Sequence, residues 1–391
     1  MADLKRRLRD IEGYAPPDLW KEITSRPPAP PRPEPAPARG ALVVGIAFAV
    51  ALVGLILVVR AFGGRESEPV SQPPVTTDKV TPRVTASIEV GRVTSVAYGA
   101  GSVWVSVLPG GSSDGALVRI DPVSNEILAE IQVPGVPGWE IGGGGLLVAE
   151  GSVWLTSRLD GPGNGAEGFI SRIDPSTNRV MDTITLTEGD VADIAIDGTS
   201  IWALIRGNPG QPEILRIDRS SGQVIATLPL DGGYGRHIFA TNGSVLAAIV
   251  QPPGGPFDGG TLVRIDPSSN RVAGTFDLGT YPSVAIGDGV IWAATSAGLV
   301  QIDPGTGQPI SAPVNVPCTG DALAVGAGGV WCFDPARDRA LTRFNPESAQ
   351  VDVAMQPDEG TGGTALTTSS GSVWIVNGKE LTRVDVEEAG T

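Results

Sequence analysis

The sequence predicts an all-β fold, a seven-bladed β-propeller, and three observations carry that prediction. From residue 84 onward one unit recurs: a short apolar strand, a Gly-containing turn, a Gly-Ser-Val-Trp-like strand, a variable loop, a Leu-x-Arg-Ile-Asp-Pro-like strand, a turn and a Val/Ile-rich strand. Its tryptophan position falls at Trp104, Trp154, Trp202, Leu246, Trp292, Trp331 and Trp374, and its acidic position at Asp121, Asp174, Asp218, Asp266, Asp303, Asn345 and Asp385. The 53 Gly and 34 Pro, with few long helix-period patterns, call for many short strands joined by tight turns. Finally, the seventh unit ends after three strands (Leu381–Val386), while Val84–Val90 precedes the first unit as an unpaired strand of fourth-strand type. Pairing the two closes a ring and removes the free edges of an open array.

The segments before the repeat read in order. Residues 3–25 form two short amphipathic helices separated by Ala15-Pro16-Pro17, and a Pro-rich spacer runs from Arg26 to Arg39, so 1–40 is a short tail. Residues 41–59 (ALVVGIAFAVALVGLILVV) carry no charge and are bracketed by Arg39 and Arg60, which suits one transmembrane helix. A cleaved signal peptide fits less well, because forty residues precede the run and no A-x-A site follows closely. Lys21, Arg26, Arg32 and Arg39 before the span outnumber Arg60 and Arg65 after it, so the expected orientation is a cytoplasmic N-terminus with the bulk outside. Residues 60–82 form a flexible stalk, in which Glu66–Pro82 lacks aromatics, is rich in Pro, Ser and Thr, and reaches roughly 50 Å at about 3 Å per residue. The propeller is expected over 83–388.

A period of about 39 to 50 residues with four strands is that of propeller blades, each burying its faces against its neighbours. An open β-solenoid would need shorter, one-coil repeats. GSVWV at 101–105, GSVWL at 151–155, GSVWI at 371–375, RIDPSTNRV at 172–180 and RIDPSSNRV at 264–272 together resemble the YVTN/streptogramin-lyase-like propellers. That resemblance implies the fold over about 300 residues and leaves activity open, since the group includes lyases, cofactor-linked proteins and binding modules. In the tail, DLKRRLRDIE and PPDLW resemble the short N-terminal segments of actinobacterial anti-sigma-type membrane proteins, which implies a cytoplasmic partner; a basic tail lying on the inner leaflet is the alternative.

Charge excludes one class of function. Residues 1–40 carry eight Lys/Arg against six Asp/Glu, whereas the remainder carries 20 against 37. An acidic main domain lacks the cations that dominate nucleic-acid binding. One histidine, His237, and two cysteines exclude His- or Cys-rich metal sites, and no cofactor is implied. The Asp-Pro series spreads over seven blades and reads as turns capped by their own side chains, not as a calcium loop. The Trp series reads as packing between blades.

Function on such a scaffold lies where blades differ. The long variable loops, Leu108–Gly115, Arg158–Gly168, Arg206–Gln211 and Gln251–Gly260, all fall in the first four blades and open on one face. On that face, just before each innermost strand, lie Ser95, Trp139, Glu140, Asp193, Arg236, His237, Tyr281 and Ser283. Of these, Trp139, Glu140, Asp193, Arg236, His237 and Tyr281 are the expected ligand-binding set: aromatics, an Arg, two carboxylates and a His suited to a protein, a glycan or a small ligand. The lyase resemblance implies histidine-based, metal-assisted elimination, and a single histidine departs from that pattern. A quinone-cofactor dehydrogenase fits no better. The leading expectation is therefore a non-catalytic, membrane-anchored extracytoplasmic binding module; the alternative is a lyase or hydrolase using the channel mouth. Cys318 and Cys332 fall in one blade, and both a disulfide and a buried pair of free thiols fit their spacing.

Overall fold

A computed structural model describes residues 81–108, 114–137, 145–160, 166–187, 190–206, 211–241, 243–250, 259–279, 283–316, 318, 322–334, 340–355 and 364–387. The tail, the apolar run 41–59 and the stalk to residue 80 lie outside them. Among the described residues no helix is long and apolar enough to cross a membrane. Thr77–Thr391 form one compact unit.

The protein is a seven-bladed β-propeller: six antiparallel sheets of four strands and one of five. Blade 1 shows the plan, with Arg92–Gly99, Ser102–Leu108, Gly115–Ile120 and Ile127–Val133 running from axis to rim. The first strands of most neighbouring blades abut around the axis. Tight first-to-second turns at Ala100-Gly101, Glu150-Gly151, Asp288-Gly289 and Ala327-Gly328 hold two successive residues at positive φ, the twist that a two-residue hairpin needs. These turns and the Asp-Pro turns occupy one face. The second-to-third loops and the blade connections occupy the other.

Ring closure is visible in the backbone. Thr81–Glu89 pairs antiparallel with Glu380–Glu387, from Thr81↔Glu387 to Glu89↔Glu380. The strand starts three residues before Val84 and two before the expected domain boundary at 83, because pairing extends as far as Glu387 offers a partner. It is the outer strand of blade 7.

The core is seven seams between successive blades rather than one central mass. Trp104 of blade 1 packs with Val153, Leu155 and Ile173 of blade 2, and Trp154 in turn with Ile201, Leu215 and Ile217 of blade 3. The pattern runs round to Trp374 of blade 7, which packs with Val103, Val105 and Ile120 of blade 1. Where Leu246 replaces Trp, the half-buried Phe239 and Phe276 fill the space beside it.

The repeated Arg adds a polar latch to several seams. Arg216 stands over the Trp202 ring at 4.9 Å and receives its position from Ser200 Oγ, which accepts from Nε at 2.9 Å. Its Nη1 reaches blade 4, donating to Pro267 O at 2.7 Å and Asn270 Oδ1 at 2.8 Å. Arg119 makes the same reach to Asn178 of blade 2 and Arg383 to Asn125 of blade 1. The acceptor Asn residues sit at φ of 54 to 63°, a left-handed conformation that Asn tolerates well.

Two blades depart from four even strands. In blade 5 the fourth strand is only Gln308–Pro309, and the edge beyond it is covered by Val314 bridging to Leu299. In blade 2 two described segments pair with the second strand on its axis side: Val136–Pro137 with Arg158 and Ser157, and Leu146–Ala149 with Leu155 to Ser152. Cys318 and Cys332 are bonded, with Cα atoms 5.5 Å apart. Cys332 pairs across the sheet with Leu323, so the bond ties the strand to the connector entering blade 6, beside the shortened outer strand of blade 5.

Candidate functional site

Register places one equivalent position at the loop-face end of each innermost strand. Opposite the second strands, Ser95 pairs with Ser106, Asp193 with Leu204, His237 with Ala248, Ser283 with Ala294 and Ala365 with Val376. In blade 2 the place belongs to Gly145, whose carbonyl accepts from Thr156 N at 2.7 Å. Ser95, Asp193, His237 and Ser283 therefore lie within the innermost strands rather than just before them. Bulges at Thr94, Ala192 and Arg236 shift the register there and re-aim the side chains that follow. Polar residues occupy the position in blades 1, 3, 4 and 5, and Ala365 marks a small apolar sector at blade 7.

Asp193 is the centre of this arc. It is buried, and its carboxylate accepts three backbone N–H bonds: Gly145 N of blade 2 at 2.7 Å, Ile194 N of its own strand at 2.8 Å, and Ile238 N of blade 4 at 3.1 Å. One side chain thus staples three consecutive blades. His237 Nδ1 lies 3.5 Å from Oδ2, within ion-pair range when the imidazole is protonated, and the ring also stacks on Phe239. The staple fixes Gly145, the residue just before the strand Leu146–Ala149 of blade 2. A side chain at Gly145 has no room, since a Cβ there would lie 2.0 Å from Thr156 Oγ1.

A second polar group borders the arc. Asp190 Oδ2 is held by Arg158 Nη1 at 2.9 Å and Arg206 Nε at 3.2 Å, joining blade 2 to blade 3 at the same end. In blade 1, Ser106 Oγ shares hydrogen bonds with Thr94 Oγ1 at 2.7 Å and Ser95 Oγ at 2.6 Å, and all three residues are buried.

Of the expected ligand-binding set, the structure brings Asp193 and His237 together with Arg236 beside them. Trp139 and Glu140 lie in the segment 138–144, outside the described residues, as does Tyr281. Sequence reasoning missed Arg158, Asp190 and Arg206, although two of them flank long loops. The oxygens of Asp193, expected among the ligand groups, accept backbone N–H bonds. Among the described residues no group of three or more His, Cys, Asp or Glu is placed to hold a metal ion. On the opposite face the turns of the repeated Asp series are self-contained: Ser220 and Ser221 hold the Asp218 carboxyl down at about 2, and Ser268 and Ser269 do the same for Asp266, also about 2.

No family model matches the chain, and no curated protein matches it in sequence. Solved structures share its fold. Virginiamycin B lyase from Staphylococcus aureus is similar with a TM-score of 0.56 at 15% identity, covering 78% of this chain and 99% of the lyase. The computationally designed Ika8 protein is similar with a TM-score of 0.50 at 13% identity, covering 76% and 99%. At these identities the likeness establishes the propeller and nothing of its chemistry.

Proposed function

We propose that this chain is a single-pass membrane protein whose propeller acts outside the cell as a non-catalytic binding module, taking a protein, glycan or small ligand at the loop-face mouth of blades 2–5. The observation that carries the reading is the concentration of polar side chains at one end of the innermost strands, with Asp193 fixing Gly145 just before the strand Leu146–Ala149 of blade 2. The uncharged run 41–59 with its flanking arginines supports the anchor, and a bonded cysteine pair suits an oxidising compartment. On this reading Arg236, His237, Trp139, Glu140 and Tyr281 contact the ligand. The tail engages a cytoplasmic partner or the inner leaflet.

Arg236→Ala, alone and with Trp139→Ala and Tyr281→Ala, tests the site: capture of ligand from a panel of glycans and extracytoplasmic proteins falls at least tenfold while the melting temperature holds. Loss of capture through changes at the Asp-Pro turns instead would move the site to the other face. Protease shaving of intact cells removes the propeller and spares the tail if the orientation is right.

A second reading, an extracytoplasmic lyase or hydrolase, draws on the fold shared with virginiamycin B lyase and on His237 standing beside a carboxylate. Against it, Asp193 is engaged by three N–H donors, and the chain has no second histidine. Turnover lost in His237→Gln with binding intact would favour this reading.

A further inference from the structure

We propose that the closing strand of the ring is a direction-dependent clasp: it resists tension carried from the loop face to the N-terminal chain and yields to peeling between the two ends of the propeller. The inference rests on the reading that partners bind at the loop face while the chain is held through its N-terminus.

The geometry is set by one strand pair. Thr81–Glu89 runs from the turn face to the loop face, antiparallel to Glu380–Glu387. All preceding residues join the ring at Thr81, on the turn face. A load that pulls Thr81 away from that face while the ring is held at the loop face therefore acts along the strand axis. Ladder hydrogen bonds lie across that axis, so all of them share the load and must fail together. The ladder is anchored at its far end as well, because Val90 N donates to Lys379 O at 3.0 Å and Val93 N to Gly378 O at 3.1 Å.

Side chains back the clasp. Ile88 and Val90 pack into the seam between blades 7 and 1, alongside Trp374 and Leu381. Ser87 Oγ donates to Glu380 Oε2 at 2.9 Å. The partner strand cannot slide freely, since Arg383 on it donates to Pro122 O at 2.5 Å and Asn125 Oδ1 at 3.2 Å of blade 1. A single residue outside the register, Thr85, interrupts the ladder between Val84 and Ala86.

Peeling meets no such resistance. Thr81 and Glu387 are paired to each other, so the two ends of the propeller leave the ring side by side. Force between them opens the pairs one after another from that end. The same strand is thus strong along the tether and weak across it.

The test pulls the full-length chain in detergent in a single-molecule force instrument, in two geometries. The N-terminus carries one handle. The second is either the C-terminus or a cysteine at the exposed turn residue 379, introduced as Lys379→Cys. The two native cysteines are bonded to each other, so the new thiol labels uniquely. The expected result is a first rupture at several-fold higher force in the 379 geometry than in the C-terminal one. Equal forces, or a weaker rupture in the 379 geometry, would overturn the clasp. Neither result depends on ligand or membrane, so the binding and anchoring reading stands or falls separately, on Arg236→Ala capture and on protease shaving.

Discussion

Replacing Asp193 by Ala removes the acceptor of three backbone N–H groups on three blades, and the size of the loss follows from the geometry. Hydrogen bonds to a charged acceptor contribute about 1.5–3 kcal/mol each, and donors left buried and unpaired account for much of the cost. The Ile194 bond lies within its own strand and is the easiest for water to replace. The Gly145 and Ile238 bonds join different blades at a buried site and have no such substitute. Asp193→Ala is therefore expected to destabilise the propeller by about 4 kcal/mol. Asp193→Asn keeps an oxygen for Gly145 and Ile194 but turns an amide N–H toward Ile238, so about 2 kcal/mol is expected. Urea unfolding of the three proteins measures the ladder, and hydrogen exchange at Gly145, Ile194 and Ile238 shows where protection is lost. A stability within about 0.5 kcal/mol of wild type for the Ala variant, with those amides still protected, would refute the staple. That outcome joined to lost ligand capture would return Asp193 to the role of a ligand group.

Other consequences follow from the seams, the turns and the disulfide. Asn270→Gly keeps the left-handed turn but deprives Arg216 of an acceptor, and is expected to cost about 1 kcal/mol. The reverse change, Gly307→Asn, at a φ of 70° that Asn accepts, gives the Arg264 guanidinium the turn acceptor that Asn178 and Asn270 supply to Nη1 of Arg119 and Arg216; a gain of about 0.5–1 kcal/mol in unfolding free energy is expected from urea titration. The Asp218 and Asp266 carboxyls are held down at about 2, below their ordinary 3.8, so the stability they contribute is present above 3.8 and is lost as pH falls through about 2. Unfolding midpoints should thus hold from pH 5 to 4 and drop below it, and Asp218→Asn with Asp266→Asn should flatten that drop. Replacing Cys318 and Cys332 by Ser opens a loop with a sequence separation of 14 and is expected to cost about 3 kcal/mol; calorimetry showing no shift would mean the seam beside blade 5 holds without it.

What the sequence determined by itself was everything periodic. The Trp and Asp series set the number of blades, and the orphan strand announced closure, because each blade repeats one local pattern of strand, turn and buried face. Seam packing followed too, since a large apolar residue repeated once per blade has only a neighbouring blade to bury it. The terminal segments before residue 81 remain readable only as composition and hydropathy. Tertiary structure alone decided which non-repeating residues meet. The sequence neighbours of Asp193 say nothing of Gly145, 48 positions away, or of Ile238, 45 positions away, whose N–H groups its carboxylate holds. Arg216 read as part of a strand motif until Asn270 of the next blade came within 2.8 Å, and the two segments of blade 2 on the axis side of its second strand showed only in their pairing. Such contacts join different blades at positions fixed by register, and register across a ring is set by backbone pairing and seam packing together. Side-chain periodicity along the chain encodes the blades; it does not encode which turn of one blade faces which side chain of the next.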